Sequence, residues 1–301
     1  MYREVCKVLS QEKVAPGHFV LTLEGAGISK SAKPGQFVQI LCADSMDPLL
    51  PRPFSFLTAT SKNFSILYHV VGKGTQILST LKKGDVLPVL GPCGNGFNEG
   101  GRSKVEGRRK KEVFLLVGGG VGIPPLYHFS QELLKNKISK KNIHVFLGAR
   151  DKSLLLCEKE FKKLGIVLHL ATDNGSKGHK GFITQMLEGF LSSSLFSLTS
   201  SLLFTCGPTP MMKAVSAMAV KFKVPCEVSV EVPMACGFGA CLGCAVKVSE
   251  RTTCGTGETP SRPRELILRS GDLAATKDRS FKYAIACCEG PVFDGAKILW
   301  E

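Results

Sequence analysis

Three cysteines carry the most distinctive chemistry in this chain. Cys236, Cys241 and Cys244 stand in MACGFGACLGCAV, separated by four and then two residues. That is the plant-type C-x4-C-x2-C run, which holds a [2Fe-2S] cluster with a fourth cysteine from elsewhere in the chain. Gly237, Gly239 and Gly243 lie between the thiols. Glycine lets the backbone curl so that amide N–H groups point at sulfur, which stabilises the cluster's negative charge. A zinc site would bring paired C-x2-4-C spacings or histidines, and no His lies between Cys236 and Cys288. The fourth ligand is one of Cys254, Cys287 and Cys288. Cys254 sits in a hydrophilic, turn-rich segment, whereas Cys287 and Cys288 close the apolar run YAIA and precede Glu-Gly-Pro.

Two further stretches suit phosphate. In LLPRPFSF, Pro53 restricts Arg52 to extended geometry, from which the guanidinium can clamp a pyrophosphate, and Ser55 lies within reach of a flavin ring nitrogen. Alone, this stretch reads as a strand end with a surface arginine. The segment LYHVVGKGTQILS then ends a strand in Gly72-Lys73-Gly74-Thr75 and opens a helix, whose free amides form a seat for phosphate, with Tyr68 placed to stack on a flavin or ribose. Together the two favour a bound dinucleotide.

A second pair of loops suits a nicotinamide dinucleotide. LLVGGGVGIPPLYHF is strand, glycine loop and helix, with Gly118, Gly119, Gly120 and Gly122 in the loop. It departs from G-x-G-x-x-G, since the third glycine is shifted and Pro124-Pro125 opens the helix. FTCGPTPMMKAV repeats the form, with Cys206, Gly207 and Pro208 in the loop, Thr209 as the expected cap and Pro210 at the first helical position. Both loops fall at the carboxyl ends of strands, where open α/β sheets bind ligands, and Asp173 in TDNGS reads as a turn former at the same crevice. The six histidines are dispersed and suggest neither a nucleophile's partner nor a general base. The chemistry therefore belongs to cofactors.

These stretches need two frameworks to position them. Short apolar runs at 4–9, 18–23, 36–41, 54–58, 64–71 and 85–90, punctuated by Pro-Gly and Gly-Asp, predict a six-stranded antiparallel β-barrel with one helix over 74–81. From residue 111, strands alternate with helices near 154–164, 182–190 and 210–222, which predicts a parallel α/β sheet covered on both faces. The expected domains are 1–100, 111–232 and 233–301, the last too small to be stable without its metal. The 301 residues, 44% of them hydrophobic, supply a core for each larger domain.

No run of 18 apolar residues appears and the N-terminus carries charges where a signal peptide would be apolar, so neither a membrane span nor secretion is expected. Twelve cysteines in so long a chain suit a reducing, cytoplasmic compartment better than a disulfide framework. The net charge of +14 is scattered apart from a run at 102–112, and no nucleic-acid module accompanies it. A basic zinc module for nucleic acid would leave both glycine loops idle.

The order RPFS, YHVVGKGT, LGPCGNGF, GGGVGIPPL, CGPTPMM and ACGFGACLGC with CCEGPVF resembles the electron-transfer subunits of bacterial dihydroorotate dehydrogenase B, within the ferredoxin–NADP reductase superfamily. The resemblance covers nearly the whole chain. It implies a barrel binding FAD, an α/β domain for NAD+ and a C-terminal [2Fe-2S] module. It also implies a heterotetramer of two such subunits with two FMN-containing catalytic subunits, in which electrons from dihydroorotate pass through the cluster and FAD to NAD+ in pyrimidine synthesis. FAD contacts are implied at Arg52, Pro53, Phe54, Ser55, Leu67, Tyr68, His69, Gly74 and Thr75. The family ending C-x-[DE]-G-P matches Cys287, with Cys288 as the intervening residue. Two segments depart from the family: the 42 residues between Cys244 and Cys287, which include Cys254, and the basic stretch 99–111. His69 also stands where a basic residue is usual. A reductase of the same superfamily serving ferredoxin or a hydrogenase would carry much the same residues.

Overall fold

The computed structural model describes residues 1–98, 112–193, 200–250 and 281–300. Cys254, the basic run at 102–111 and most of the long connection after Cys244 lie outside the described residues.

The chain opens with β1 (Tyr2–Ala15), β2 (His18–Glu24), α1 (Ala26–Ser31), β3 (Phe37–Ile40), β4 (Arg52–Ala59), β5 (Asn63–His69), α2 (Lys73–Ser79) and β6 (Val86–Cys93). The six strands close a barrel in the order β1-β2-β5-β4-β3-β6, with every pair antiparallel. Strand alternation explains the closure: Leu21, Leu23, Val38, Ile40 and Ile66 turn inward and are fully buried. The helix expected to reach residue 81 ends at Ser79, and its last turn tightens through Leu81 N–H donating to the Leu78 carbonyl at 3.2 Å.

The second framework contains β7 (Val113–Gly119), α3 (Ile123–Lys135), β8 (Ile143–Ala149), α4 (Glu158–Leu164), β9 (Val167–Thr172), β10 (His179–Lys180), α5 (Ile183–Ser192), β11 (Ser201–Cys206), α6 (Thr209–Phe222) and β12 (Cys226–Ser229). On β7, Phe114 and Leu116 enter the core that includes Phe129 of α3, while Leu115 and Val117 enter the core that includes Leu187 of α5 and Val215 of α6. The strand is therefore apolar throughout, because both its faces are covered. Two local expectations are corrected. The helix expected from residue 154 begins at Glu158, after a 3-10 turn at Lys152–Leu154. Thr209 is helical itself, with Pro208 in the capping position and no side-chain cap bond, because Pro210 already fixes the first turn.

Beyond β12, β13 (Ala245–Ser249) and β14 (Phe281–Ile285) form an antiparallel ribbon, and β15 (Val292–Asp294) returns to the larger sheet. That sheet runs β10-β9-β8-β7-β11-β12-β15, parallel except for the last pair. A two-stranded ribbon has little stability alone. Here Val246 and Ala284 of the ribbon share one buried core with Phe37 of β3 and Val228 of β12, so it is held against both frameworks. Among the described residues, no helix is long and apolar enough to cross a membrane.

Candidate functional site

Two adjoining cavities lie where the barrel meets the sheet. The first, of about 580 Å³, is walled by Arg52, Pro53, Phe54 and Ser55 of β4, Leu67, Tyr68 and His69 of β5, and Thr75 of α2. β4 and β5 are neighbours in the barrel, which brings these two separate sequence stretches onto one wall. Gly74 lies behind that wall, since a Cβ there would stand 3.4 Å from Arg52 Nε and 3.3 Å from Cys42 Sγ. The Arg52 guanidinium donates from Nη1 to the Leu50 carbonyl at 2.6 Å, which aims it along the loop before β4. Tyr68 donates its hydroxyl proton to Gln11 Oε1 at 2.9 Å, and its ring stacks at 5.8 Å on Phe19. Thr75 Oγ1 accepts from the N–H groups of Val71 and Gly72 at 2.9 and 3.1 Å, so this hydroxyl closes the turn rather than standing free. An apolar, aromatic cleft with one arginine at its rim fits a flavin dinucleotide, whose ring is flat and whose pyrophosphate is anionic.

The second cavity, of about 730 Å³, is walled by Gly119, Gly120, Pro208, Met211, Arg150 and Asp173, among others. The two glycine loops touch each other. Gly207 has φ +149°, and a Cβ on it would stand 2.8 Å from the Gly119 carbonyl oxygen. The remaining expected residues are placed differently. Gly122 and Cys206 face the first cavity, Gly118 packs against Leu126, and Gly207 serves the loop contact. Burial pushes the Cys206 thiol up to about 12, so it stays protonated.

His69, Val121 and Glu231 line both cavities. His69 stacks on His18 with ring centroids 4.2 Å apart. Burial raises the Glu231 carboxyl above its ordinary pKa. Sequence reasoning passed over Glu231 and Val121; the signal available was an acidic residue inside the β-branched run SVEV, just ahead of the cysteine loop. Asp173, read as a turn former, does line the second cavity, and its N–H donates to the Ala149 carbonyl at 3.0 Å.

The wall of the first cavity continues through Val232, Pro233 and Met234 into the cysteine loop. Pairing of Ala245 with Ile285 on the ribbon carries Cys244 to Cys287 across the long connection. The contacts fall into two pairs. The Cys241 N–H donates to Cys236 Sγ at 3.5 Å, and the Cys287 N–H donates to Cys244 Sγ at 3.4 Å. The Gly239 N–H donates to Cys287 Sγ at 3.1 Å. Cys244 and Cys287 are both 2% exposed, whereas Cys288 is exposed and lies 3.8 Å from Cys287 Sγ to Sγ. Burial opposes ionisation of Cys236, yet amide donors from Phe238, Cys241 and Ala240 outweigh it and hold its thiol down at about 6. Burial, followed by the Cys244 and Cys288 thiols, raises that of Cys287. Among the described residues, no three His, Cys, Asp or Glu side chains are posed on a single ion. A two-iron cluster divides four thiolates between its irons, and two cysteine pairs with amides aimed at sulfur fit that need. Gly237 and Gly239, at φ +80° and +87°, allow the curl.

Comparison with known proteins bears on the fold and on the nucleotide-binding framework. The model of the oxidoreductase NAD-binding domain matches residues 116–217. The chain is 35% identical over 297 residues to the dihydroorotate dehydrogenase B (NAD(+)) electron transfer subunit of Desulforamulus reducens, covering 98% of this chain and 97% of that protein. The subunit of the same name from Lysinibacillus sphaericus is 38% identical over 251 residues, which cover 83% of this chain and 90% of that one. Among solved structures, the NADH-dependent reduced ferredoxin-NADP oxidoreductase superposes with a TM-score of 0.75 at 30% identity, covering 99% of this chain and 90% of that one. A Neisseria gonorrhoeae ferredoxin NADP+ reductase shares the fold, with a TM-score of 0.60 at 14% identity over 74% of this chain and 92% of that one. With likeness to the first relative spanning nearly its full length, the chain belongs to the family of dihydroorotate dehydrogenase B electron transfer subunits.

Proposed function

We propose that this protein is the electron-transfer subunit of an NAD+-linked dihydroorotate dehydrogenase, assembled two plus two with an FMN-containing catalytic subunit in the cytoplasm, and serving pyrimidine synthesis. The observation that carries this reading is continuity: the arginine-rimmed cleft shares His69, Val121 and Glu231 with the glycine-loop cavity and runs through Met234 into the loop that bears Cys236, Cys241 and Cys244. In the proposed assignment, the first cavity holds FAD against Arg52, Pro53, Phe54, Ser55, Leu67, Tyr68, His69, Gly74 and Thr75. Gly119, Gly120 and Pro208 shape the NAD+ side directly and Gly118 and Gly207 support it from behind, whereas Gly122 and Cys206, expected on that side, stand toward the FAD cleft. Cys236, Cys241, Cys244 and Cys287 hold a [2Fe-2S] cluster.

When bound, FAD exchanges electrons singly with the iron–sulfur group and as a hydride with NAD+. The chain's own residues do the rest. Arg52 offsets pyrophosphate charge, and Phe54 and Tyr68 exclude water from the cleft. The loop amides stabilise thiolate sulfur, and the bare glycines let the dinucleotide backbone approach. No residue of this chain touches dihydroorotate in this scheme.

The 30% identity and 0.75 TM-score to the NADH-dependent reduced ferredoxin-NADP oxidoreductase favour one second reading, a reductase that exchanges electrons with ferredoxin. Purification from the native host under anaerobic conditions separates the two. The first reading expects an FMN protein to co-purify and dihydroorotate to drive NAD+ reduction by the complex. Reduction of ferredoxin by NADH, with no dihydroorotate activity in any co-purifying complex, would replace it with the second.

A further inference from the structure

One buried polar side chain beside the cysteine loop has no hydrogen-bond partner among the described residues. Strand β3 turns Val38 and Ile40 into the barrel and leaves Phe37 and Gln39 on its outer face. An outward glutamine on a barrel is ordinarily wet, but Gln39 is only 1% exposed. The cysteine loop helps to cover it: a Cβ added to Gly237, the residue after Cys236, would stand 3.0 Å from Gln39 Nε2 and 3.1 Å from its Cδ. Neither Nε2 nor Oε1 of Gln39 has a hydrogen-bond partner among the described residues. A buried amide left unpaired is a cost that native cores rarely keep.

The position of Gln39 limits what can satisfy it. It pairs in register with Pro53 of β4 and Leu90 of β6. Pro53 belongs to the wall of the first cavity, as does Phe37 two residues earlier on the same face. Gln39 thus stands between the cleft and the cysteine loop, and the apolar side chains of its register partners, Pro53 and Leu90, offer it no acceptor. The loop's sulfurs are negatively charged acceptors when iron is bound, and hydrogen bonds to them are a principal control on cluster potential.

We infer that Gln39 donates a hydrogen bond from Nε2 to a sulfur of the iron–sulfur group, joining the flavin-binding barrel to the cysteine loop and raising that group's reduction potential. The inference rests on the iron–sulfur reading proposed above. Its physical logic is that a donor stabilises the more negative, reduced state more than the oxidised one. Gln39 accordingly touches the group itself and tunes its potential without making or breaking a covalent bond. The close fit of Gly237 against it also gives a second reason, besides its positive φ, for glycine at that position.

The test compares wild type with Gln39→Met and Gln39→Leu, which keep much of the volume and remove the donor. Iron and acid-labile sulfide are measured first in wild type; their absence there sinks the iron–sulfur reading itself, independently of Gln39. In the loaded proteins, a redox titration followed by electron paramagnetic resonance reads the cluster potential. Both variants are expected to hold iron and to show about a tenfold smaller ratio of reduced to oxidised cluster at the wild-type midpoint, a downward shift of about 59 mV for a one-electron couple. In the metal-free proteins, thermal unfolding is expected to find both variants at least as stable as wild type, because an unpaired amide has been removed. A potential unchanged in both variants overturns the inference, as it would if a water satisfied Gln39. So does a loss of stability in the metal-free variants as large as in the loaded ones, which would make Gln39 merely structural.

Discussion

Gly120→Ala separates the cost of a backbone from the cost to a ligand. Gly120 has φ +55°, and a Cβ there would meet nothing within 4 Å, because it would project into the open space of the second cavity. A left-handed alanine costs about 1–2 kcal/mol. Gly165, the C-cap of α4 at φ +71°, carries the same backbone cost away from both cavities, and its added methyl would meet only the flexible Lys140 side chain at 3.2 Å. The two alanine variants are therefore expected to lose similar stability. They should differ in binding NADH. A methyl inserted where a dinucleotide must lie against bare backbone overpacks the contact, at about 1–3 kcal/mol, which is roughly 5- to 150-fold in Kd. Calorimetric titration with NADH, paired with denaturant midpoints, reads both quantities. A Gly120→Ala protein that binds NADH within twofold of wild type, while losing stability as Gly165→Ala does, would refute the assignment of this cavity to the nicotinamide dinucleotide.

Three further outcomes are expected. Burial beside Phe56, reinforced by Lys135, holds His128 down at about 4 against an ordinary 6.5. The folded state then binds fewer protons than the unfolded one between these values, so stability is intact above pH 6.5 and falls as pH drops through 4, by about 3 kcal/mol in all. In urea melts, His128→Leu should flatten that slope, and an unchanged slope would remove His128 as its source. Arg52→Ala should weaken FAD retention by roughly 10- to 100-fold, since a charge-assisted hydrogen bond contributes about 1.5–3 kcal/mol; equilibrium dialysis of released flavin measures it. Cys241→Ser should abolish iron and sulfide content while leaving FAD bound, as read from chemical analysis and the visible spectrum.

The barrel and the parallel sheet were legible because each depends on local periodicity. Alternating residues such as Leu21 and Leu23 declare a face within a few positions, and the continuous apolar run of β7 declares that both its faces are covered. Helix starts were less legible. Thr209 has the chemistry of a cap, but Pro210 beside it already supplies the first-turn geometry, so the helix takes Thr209 in. Strand β15 carries only three residues and pairs antiparallel with β12, far from it in sequence, so no local pattern announces it.

The residue types and spacings alone determined the chemistry: C-x4-C-x2-C with glycines between, an arginine before a proline, and glycine loops at strand ends. Each such signal lies within about a dozen consecutive residues, and short-range geometry is dictated by neighbours along the chain. What only the tertiary structure decided is how those pieces face one another. It set Glu231 against both cavities, matched Cys287 to Cys244 across 42 intervening residues, and buried Gln39 beneath Gly237 with no partner among the described residues. Contacts of that kind depend on barrel closure and sheet register, which are summed over the whole chain and are written at no single position in it.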